Sequence, residues 1–529
     1  MSKHHGNNAR KRTAAIAAAA AALALTLAAC GGGDDDAGGK ADPNATAGAK
    51  KGGNLTLLTV SDARSMTPFN ASYAAVTDLN RMLAVYDALF YVDNTQNKVV
   101  PQIGESLKSD DGGKVWTLKV KPNVKFSDGT PLDAAAIKFN WEMHAKPEVL
   151  SQHRPAATGL GLEVVDPTTL KVTLPMQNAN FDRTVASELS YIESPKQYGI
   201  DPKGQNPVGA GPFVLKNWTR DSQMVFEKNP NYWQGPDKPF LDTLTIKVVN
   251  DVKQQVDTIK AGGADITFTI DAQKTKAAQD AGLGVTPFTL DGGQMIVFNT
   301  AVAPFDDPRA RRAVALALDP ADLNQKMFAG TAIPAKSIFH GGKNFTDPSA
   351  VQPSPNKAEA QKLFDELAAE GKPVKFSYLV PENPTSNQTS EYTMTALNAF
   401  KNVEVKLDKA EVASYYLRLT VQKNFTAALY QIWSSDPEPI LFNSLFSKTP
   451  LNFTGYKSEA ADAALIKGRS TTDEAARKAA YGDLQKELVK DLPMLAYQEA
   501  VTNIISGPRA VGVVGVQDGG MLMDRVGLK

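Results

Sequence analysis

Cysteine is almost absent from this 529-residue chain, and because Cys30 is the only one, no disulfide can form within it. Histidine is also scarce: only His144, His153 and His340 follow residue 29, at spacings that match no recognised metal site. The sequence has no Gly-x-Ser-x-Gly elbow, no His-Glu-x-x-His helix and no phosphate-binding P-loop. These absences exclude the hydrolases and nucleotide-binding enzymes that short motifs reveal. Binding proteins remain, with enzymes whose catalytic groups are scattered along the chain.

A dominant charge of one sign is missing too. The chain has 57 basic and 57 acidic residues, and its first 29 residues hold four of the basic ones and none of the acidic ones. The remaining 53 basic and 57 acidic residues leave a formal charge of −4 after residue 29. Nucleic-acid binding needs a concentrated basic surface, so we expect no nucleic-acid partner.

The first 29 residues have the organisation of a secretory signal peptide. Lys3 and residues 10–12 are basic, residues 13–29 are uncharged and rich in alanine, and Leu27-Ala-Ala-Cys30 is followed by three glycines. The apolar stretch is shorter than the roughly 20 residues of a comfortable membrane span, so an uncleaved anchor is the weaker interpretation. Residues 30–52 are mostly Gly, Asp, Ala, Pro and Lys, which predicts a flexible tether.

The size of the rest predicts more than one lobe. About 500 residues remain, and single hydrophobic cores stop growing at roughly 250 to 300 residues. No fixed-period repeat is visible, which argues against a solenoid.

The stretch from Asn206 to Trp233 has the clearest sequence pattern in the chain. Pro207, Gly209, Gly211 and Pro212 predict a tight loop, and two short apolar runs around residues 213–215 and 225–226 predict a hairpin. Asn-Pro-Asn and Tyr-Trp then close the stretch. The glycines precede a strand and no helix, so a phosphate site is not indicated.

Other patterns predict local structure on both sides of this stretch. Residues 55–60 predict a buried strand, residues 81–90 an amphipathic helix, and residues 116–120 a half-buried strand. Asp133 is the expected cap of a following helix, and Asp128 belongs to an Asp-Gly turn and not to a catalytic pair.

In the second half, Asp307 and Pro308 predict a helix start, with Arg309, Arg311 and Arg312 fanning outward into solvent or toward nearby carboxylates. Residues 357–370 predict an amphipathic helix that stops at Gly371. Thr471-x-x-Glu474 predicts a capping box, and residues 501–505 predict a strand.

The segment from Ala427 to Pro439 contains the strongest candidates for ligand-binding residues. Leu429, Gln431 and Trp433 alternate along a predicted strand that ends in Ser434-Ser-Asp436, just before two prolines. Polar groups at the end of a buried strand are well placed to face a cleft. A buried carboxylate needs a cation to offset its desolvation, and a ligand could supply it. Alternatively, Asp436 simply caps the turn before Pro437.

Several of these motifs together resemble the family 5 extracytoplasmic solute-binding proteins, the peptide, dipeptide and nickel receptors of ABC importers. The resemblance rests on residues 206–233, on the stretch from Trp116 through Phe-Ser-Asp-Gly-Thr-Pro131 to Trp141, on Phe298-Asn-Thr300 with Pro304-Phe-Asp-Asp-Pro-Arg309, and on Trp433 to Asp436. In the sequence after Asp436, Pro437-Glu438-Pro439 replaces the family's longer turn.

The resemblance implies an α/β, two-lobed clamshell of the periplasmic-binding-protein class II, in its large form with an extra subdomain in the first lobe. Residues 53–95, 191–298 and 497–529 would form the first lobe, residues 96–190 the extra subdomain, and residues 299–496 the second lobe. The chain would cross between the lobes near residue 298 and again near residue 497, and both termini would then lie in one lobe.

The resemblance also implies a binding site. Trp433 would border the ligand pocket, Ser434 would lie beside it, and Asp436 would pair with the free α-amino group of a peptide. The facing wall would come from Asn70, Ser72 and Tyr73, with His153 and Tyr497 as weaker candidates. Leu27-Ala-Ala-Cys30 resembles a lipobox, in which Cys30 becomes the lipidated first residue of the mature protein.

From this we expect a monomeric, lipid-anchored receptor without cofactor or metal. It would capture a short peptide or a similar amine-bearing solute by closure of its lobes and deliver it to an ABC permease in the membrane. Alternatives are the same scaffold with an oligosaccharide, opine or metal chelate, a secreted hydrolase, and a purely structural surface antigen.

Overall fold

The computed structural model describes residues 48–74, 76–288, 290–340, 345–516 and 519–529. The described residues form one compact unit. The predicted signal peptide, Cys30 and the tether up to residue 47 lie outside the described residues. Among the helices in the described ranges, none is long and apolar enough to cross a membrane.

The first strand of the described residues lies in the middle of the first-lobe sheet. The opening elements are β1 (Asn54–Thr59), α1 (Leu79–Tyr86), β2 (Phe90–Asp93) and β3 (Lys98–Pro101). All of β1 except its first residue is buried, as the sequence predicts. The helix predicted to reach Phe90 is shorter, because Asp87 adopts a positive φ of 57° and the chain turns there into β2.

An extra subdomain follows. It contains β4 (Gly104–Ser109), β5 (Val115–Val120), α2 (Ala134–Ala145), α3 (Arg154–Ala157), β6 (Gly161–Asp166), β7 (Thr169–Thr173) and α4 (Phe181–Glu188). Its antiparallel sheet has the order β4-β5-β7-β6. Asp133 caps α2 by accepting from the Ala136 amide at 2.9 Å, and Asp128 accepts from the Thr130 amide at 3.0 Å, so both turn predictions are confirmed. Because β3 pairs with β2, the subdomain sheet begins at residue 104.

The chain then completes most of the first-lobe sheet. The elements are α5 (Pro195–Ile200), β8 (Phe213–Thr219), β9 (Gln223–Lys228), β10 (Thr243–Val248), α6 (Val252–Lys260), β11 (Ile266–Thr269), α7 (Ala272–Asp280) and β12 (Gly284–Phe288). Strands β8 and β9 form the predicted hairpin.

The stretch from residue 206 to 233 holds the first lobe together. A Cβ added to Gly211 would lie 2.4 Å from the carbonyl carbon of Val85, so only glycine fits against the end of α1. At the other end, the Tyr232 hydroxyl and the Trp233 indole N–H donate to the buried Asp87 carboxylate at 2.7 Å and 3.0 Å. These contacts explain the motif as scaffold.

The second lobe comprises β13 (Asp291–Phe298), α8 (Pro308–Ala317), α9 (Pro320–Phe328), α10 (Lys357–Ala369), β14 (Val374–Pro381), α11 (Pro384–Asn398), β15 (Val403–Ala410), α12 (Val412–Tyr416), a π-helical turn (Leu417–Val421), β16 (Ala427–Ser434), α13 (Ile440–Leu445), α14 (Glu459–Arg469), α15 (Glu474–Asp491) and β17 (Met494–Glu499). Its sheet has the order β15-β14-β16-β13-β17. Two buried apolar clusters pack against this sheet.

The predicted helix starts in this lobe are confirmed in part. Asp307 caps α8 by accepting from the Arg309 amide, and α10 ends before Gly371 at a φ of 78°. Arg311 does not fan outward: it is buried and donates to the backbone carbonyls of Asp491 and Phe305 at 2.7 Å and 2.5 Å, which gives its charge polar partners inside the lobe. The cap of α15 is Asp473 and not Thr471.

The chain finally returns to the first lobe through β18 (Thr502–Ser506), β19 (Ala510–Val511), β20 (Gly515–Val516), β21 (Gly520–Met521) and β22 (Gly527–Leu528). Strand β18 enters the seven-stranded sheet, whose order is β12-β18-β11-β1-β10-β9-β8. Strands β20 and β21 extend the β2–β3 hairpin.

The two sheets locate the crossovers between the lobes. Strand β12 belongs to the first lobe and β13 to the second, so the chain crosses for the first time between Phe288 and Asp291. Strand β17 belongs to the second lobe and β18 to the first, which places the return at residues 500–501. The predicted boundary at 298 places β13 in the first lobe, and the predicted boundary at 497 falls within β17, whereas both strands pair in the second-lobe sheet.

Candidate functional site

The turn after β16 is organised by Asp436. The Asp436 amide donates to the Ser434 hydroxyl at 3.3 Å, that hydroxyl donates in turn to the Asp436 carbonyl, and the Glu438 amide donates to the Asp436 carboxylate at 2.9 Å. Asp436 therefore caps this turn, as one of the two sequence interpretations predicts. Both Ser434 and Asp436 are buried.

The same carboxylate is paired with an arginine of its own lobe. Arg477, in the first turn of α15, donates to it through both terminal nitrogens, at 2.6 Å and 3.0 Å. Both side chains are about 95% buried, with exposed fractions of 5% and 4%. Burial alone would lower the pKa of Arg477, but the facing carboxylate more than offsets it, and the net shift is upward. This bidentate geometry is the strong form of an arginine–carboxylate pair.

A second arginine reaches Asp436 from the extra subdomain. The Arg183 Nε, on α4, lies 3.3 Å from the Asp436 Oδ2. The two terminal nitrogens of Arg183 donate to Asn97, at 2.9 Å and 2.7 Å, which holds the guanidinium in place. The Arg183–Asp436 contact joins the subdomain to the second lobe, so motion that separates the two must break it.

Further charges surround this pair. Glu438 is buried, its carboxylate lies 3.8 Å from the Arg469 Nε, and it accepts from the Asn178 amide group at 3.4 Å. Burial raises the pKa of Glu438 to about 7, opposed by Arg469 and reinforced by Asp436. Burial also raises the pKa of Asp182, the neighbour of Arg183. We refer to the following set as the cross-lobe charge cluster: Asp182, Arg183, Asp436, Glu438, Arg469 and Arg477.

Backbone contacts reinforce this junction. The Ala179 amide donates to the Arg469 carbonyl at 2.9 Å, and the Asn180 side chain donates to the Thr471 carbonyl at 3.0 Å. The loop before α4 is thus attached to the α14–α15 connection of the second lobe.

The opposite end of α4 supports the predicted first-lobe wall. Glu188, its last residue, lies 2.7 Å from the His153 Nδ1. The His153 Nε2 lies 3.2 Å from the Ala71 carbonyl, and the His153 ring stacks on Tyr73 with centroids 3.6 Å apart. Tyr73 donates its hydroxyl to the Pro68 carbonyl at 3.0 Å. Two candidates from distant parts of the sequence, Tyr73 and His153, are thereby brought together.

The neighbours of Tyr73 complete this wall. Asn70 is exposed, and the backbone amide of Ser72 donates to Asp78 at 3.1 Å. Asp78 is itself paired with the buried Arg81 at 2.9 Å, which fixes the loop on the start of α1. The loop is therefore held in place through its backbone, and the side chains of Asn70 and Ser72 are not needed to hold it.

Helix α4 links the two halves of the site. Arg183 and Glu188 are five residues apart, which corresponds to about 7.5 Å along a helix. One end of α4 therefore touches Asp436 and the other supports the His153–Tyr73 stack.

Trp433 lies where the lobes meet. It is partly buried and packs against the core of the first lobe, although its strand belongs to the second. It stands opposite Gly292 in the β13–β16 pairing, next to the first crossover. Tyr497 is different, because it is 96% buried within the second-lobe core.

Sequence reasoning missed Arg183, Glu188 and Arg477. Arg477 carries a detectable signal, because it precedes Tyr481 by one helical turn and so lies on the apolar face of α15 with Leu484 and Leu488. A cation on a core-facing position requires a buried anion. Arg183 and Glu188 have no comparable signal, since their partners come from other parts of the chain.

The described side chains form no group of three or more His, Cys, Asp and Glu residues suited to a metal ion. The polar centre of the site is instead the cross-lobe charge cluster.

Comparisons with known proteins agree with this architecture. The probable D,D-dipeptide-binding periplasmic protein DdpA of Escherichia coli (strain K12) is 26% identical over 416 residues, which cover 75% of this chain and 79% of the relative. The oligopeptide-binding protein AppA of Bacillus subtilis, solved with a nonapeptide, superposes with a TM-score of 0.76 at 20% identity, over 91% of this chain and all of that one. The protein AgaA of A. tumefaciens R10, solved with agropinic acid, gives a TM-score of 0.78 at 21% identity, over 90% of this chain and 99% of that one.

These structures share the two-lobed fold that the sequence predicts. A sequence model of the bacterial extracellular solute-binding proteins, family 5 Middle, matches residues 98–452, well over half of the length. The chain therefore belongs to the family 5 bacterial extracellular solute-binding proteins.

Proposed function

We propose that this solute-binding protein captures a short peptide, or a solute of similar shape, between its two lobes. The observation that carries the proposal is that two walls meet around α4. One wall is the Tyr73–His153 stack of the first lobe, and the other is the Trp433–Asp436 segment of the second lobe. Relatives and neighbours named for dipeptides, glutathione or a nonapeptide support a peptide ligand.

The crossovers suit closure by a hinge motion. Each is short: the first lies between Phe288 and Asp291, and the second lies between Glu499 and Thr502. Beside them, Gly293 has a φ of 120°, and a Cβ there would lie 2.0 Å from the Gln498 carbonyl, so the two crossing strands are in close contact. His340 lies between them, 3.4 Å from Glu499 and with its amide donating to Asp291 at 3.0 Å. Two short adjacent crossovers let the lobes rotate about one axis, so a solute that touches both lobes favours the closed state.

Aromatic surfaces supply the contact area of the proposed site. Tyr73 and Trp433 are both partly buried and pack against the first-lobe core. Large rings with a polar edge are well suited to cover a peptide backbone while tolerating different side chains. Asn70 and Ser72 add polar groups beside Tyr73. Tyr497 has no part in the proposed contact surface, because it is enclosed in the second-lobe core.

We further propose that the protein acts by binding and not by turnover, as a monomer. Cys30 would carry the lipid that holds the mature protein at the outer face of the cytoplasmic membrane, where it would deliver its solute to the transmembrane subunits of an ABC permease. Cys30→Ala should release the protein from the membrane fraction into the soluble fraction. Retention of the variant in the membrane fraction would contradict the lipid anchor.

The ligand class is tested by native mass spectrometry of protein purified without denaturation. We expect a retained mass in the range of short peptides, and calorimetry with the identified compound should then give one site per chain. A retained oligosaccharide, opine or metal chelate would replace the peptide proposal with another solute on the same scaffold. Incubation with a peptide mixture tests the hydrolase alternative, because any cleavage product would contradict a pure receptor.

A further inference from the structure

The acceptor positions of Asp436 are taken by groups of the chain itself. An ionised carboxylate offers about four lone-pair positions. One oxygen accepts from Arg477 at 2.6 Å and from the Glu438 amide at 2.9 Å. The other accepts from Arg477 at 3.0 Å and lies 3.3 Å from the Arg183 Nε. A ligand ammonium would have to displace one of these partners.

The charges around Asp436 are also balanced without a ligand. The cross-lobe charge cluster contains three arginines and three acids, and the pKa values of two of the acids, Glu438 and Asp182, are raised by burial. Proton uptake by either acid would make the cluster net positive. A ligand ammonium in this place would be a further cation beside Arg477, which is a costly arrangement in a buried site.

We propose that this receptor binds its peptide without using a free α-amino group, and that Asp436 serves as the bridge between the second lobe and the subdomain. The proposal rests on the proposed function as a peptide receptor and specifies its substrate class. Peptides with blocked amino termini would bind as well as free ones, because the Asp436 carboxylate is already paired within the chain. Asp436 would act on affinity only through the attachment of α4 to the second lobe, the helix that also supports His153 and Tyr73.

The test compares two matched ligand pools on the unmodified protein. A synthetic library of peptides two to nine residues long, with free amino termini, and the same library after N-acetylation are each offered to the purified mature protein. Native mass spectrometry identifies the retained peptides, and calorimetry measures each hit in both forms. We expect the free and acetylated forms to bind within about threefold of each other. A loss of about 30-fold or more on acetylation, the size of a broken buried charge contact, would overturn the inference.

Failure of the broader proposal gives a different result. If neither library is retained, the peptide function itself fails and this inference fails with it. If only the free library is retained, the peptide function stands and the amine-independent recognition is wrong.

A substitution separates the two roles of Asp436. Asp436→Asn should weaken the free and the acetylated form of a hit by the same factor, so that the ratio of their affinities changes by less than about twofold. If Asp436 anchored the amine, the substitution would weaken only the free form. Asp483→Asn, an acid on α15 that is 62% exposed, is the matched control for the change of charge. The comparison of ligand pools on the unmodified protein decides the question even where Asp436→Asn does not fold.

Discussion

Replacement of Arg477 by methionine should destabilise the second lobe strongly. Methionine keeps the straight, apolar stem of arginine but removes the guanidinium, which makes two hydrogen bonds to Asp436. The substitution leaves Asp436 buried, with Arg183 as its remaining cationic partner at 3.3 Å. It also removes the guanidinium that lies 4.8 Å from the centre of the Phe345 ring.

The expected size follows from the burial of the pair. Breaking a buried ion pair by removal of one partner costs about 3–5 kcal/mol, because the other charge stays buried without compensation. Arg183 compensates part of this, so we expect about 3–4 kcal/mol. For a cooperative unit of about 200 residues, each kcal/mol lowers the melting temperature by about 2–4 °C. Arg477→Met should therefore lower the melting temperature of the second lobe by roughly 6–16 °C.

Differential scanning calorimetry measures this shift, with Lys478→Met as the control. Lys478 is the next residue of α15 and is exposed, so its substitution should change stability by no more than about 0.5 kcal/mol. Adding Asp436→Asn to Arg477→Met should recover part of the loss, because no uncompensated charge is then buried. If Arg477→Met melted within about 2 °C of the control, the reasoning that a buried charge pair stabilises this junction would be refuted.

Three further substitutions test other parts of the argument. Gly211→Ala should lower the free energy of unfolding in urea by at least about 2 kcal/mol, because the added Cβ would lie 2.4 Å from the backbone of Val85. The control is Gly199→Ala in α5, where an added Cβ meets nothing within 4 Å and the change should be neutral or slightly stabilising. Equal effects of the two substitutions would contradict the close approach at Gly211. The pKa of Glu438 is raised to about 7 in the folded protein, so the native state holds this proton more tightly than the unfolded chain, and the free energy of unfolding should fall as pH rises from about 4.5 to about 7. Glu438→Gln should remove roughly 3 kcal/mol of this decrease, measured by urea unfolding at pH 5 and pH 8, and an unchanged difference between the two pH values would show that Glu438 does not titrate in this window. Tyr73→Ala should weaken solute binding at least about tenfold in calorimetry while Tyr73→Phe stays within about threefold, because the stacked ring and not the hydroxyl would cover the solute; similar affinities for the two variants would contradict that role.

Local patterns predicted much of the secondary structure. The strand at β1, the hairpin at β8 and β9, and the helices capped by Asp133 and Asp307 all appear where the sequence places them. Each depends on contacts between neighbouring residues, which are visible in the sequence. The prediction failed at the end of α1, where Asp87 adopts a positive φ and accepts bonds from Tyr232 and Trp233, about 145 residues away.

The boundaries between the lobes could not be placed with the same accuracy. Strand β13 reads as an apolar run that either sheet could accept, and only its pairing with β16 and β17 assigns it to the second lobe. The sequence of a strand does not identify its partner strand, because the strand could pair with any available sheet edge.

The candidate site, like the fold, could be predicted from the sequence only in part. Sequence analysis proposed Tyr73, His153, Trp433 and Asp436 one by one, and the family resemblance implied that a ligand amine would pair with Asp436. Arg477 is 41 residues away and Arg183 is 253 residues away in the opposite direction. Only the packing of α15 and α4 against the end of β16 brings these guanidinium groups to the carboxylate.

The sequence by itself determined the family, the α/β character and most of the local caps and turns, and the family resemblance proposed most of the residues that we place on the two walls. These properties follow from short-range patterns of apolar, turn-forming and capping residues. The tertiary structure alone decided the crossover positions, the enclosure of Tyr497 in the second-lobe core and the partners of Asp436. The reason is that the electrostatic environment of a buried charge depends on distances of a few ångströms between groups that are tens to hundreds of residues apart in the sequence, which no local pattern encodes.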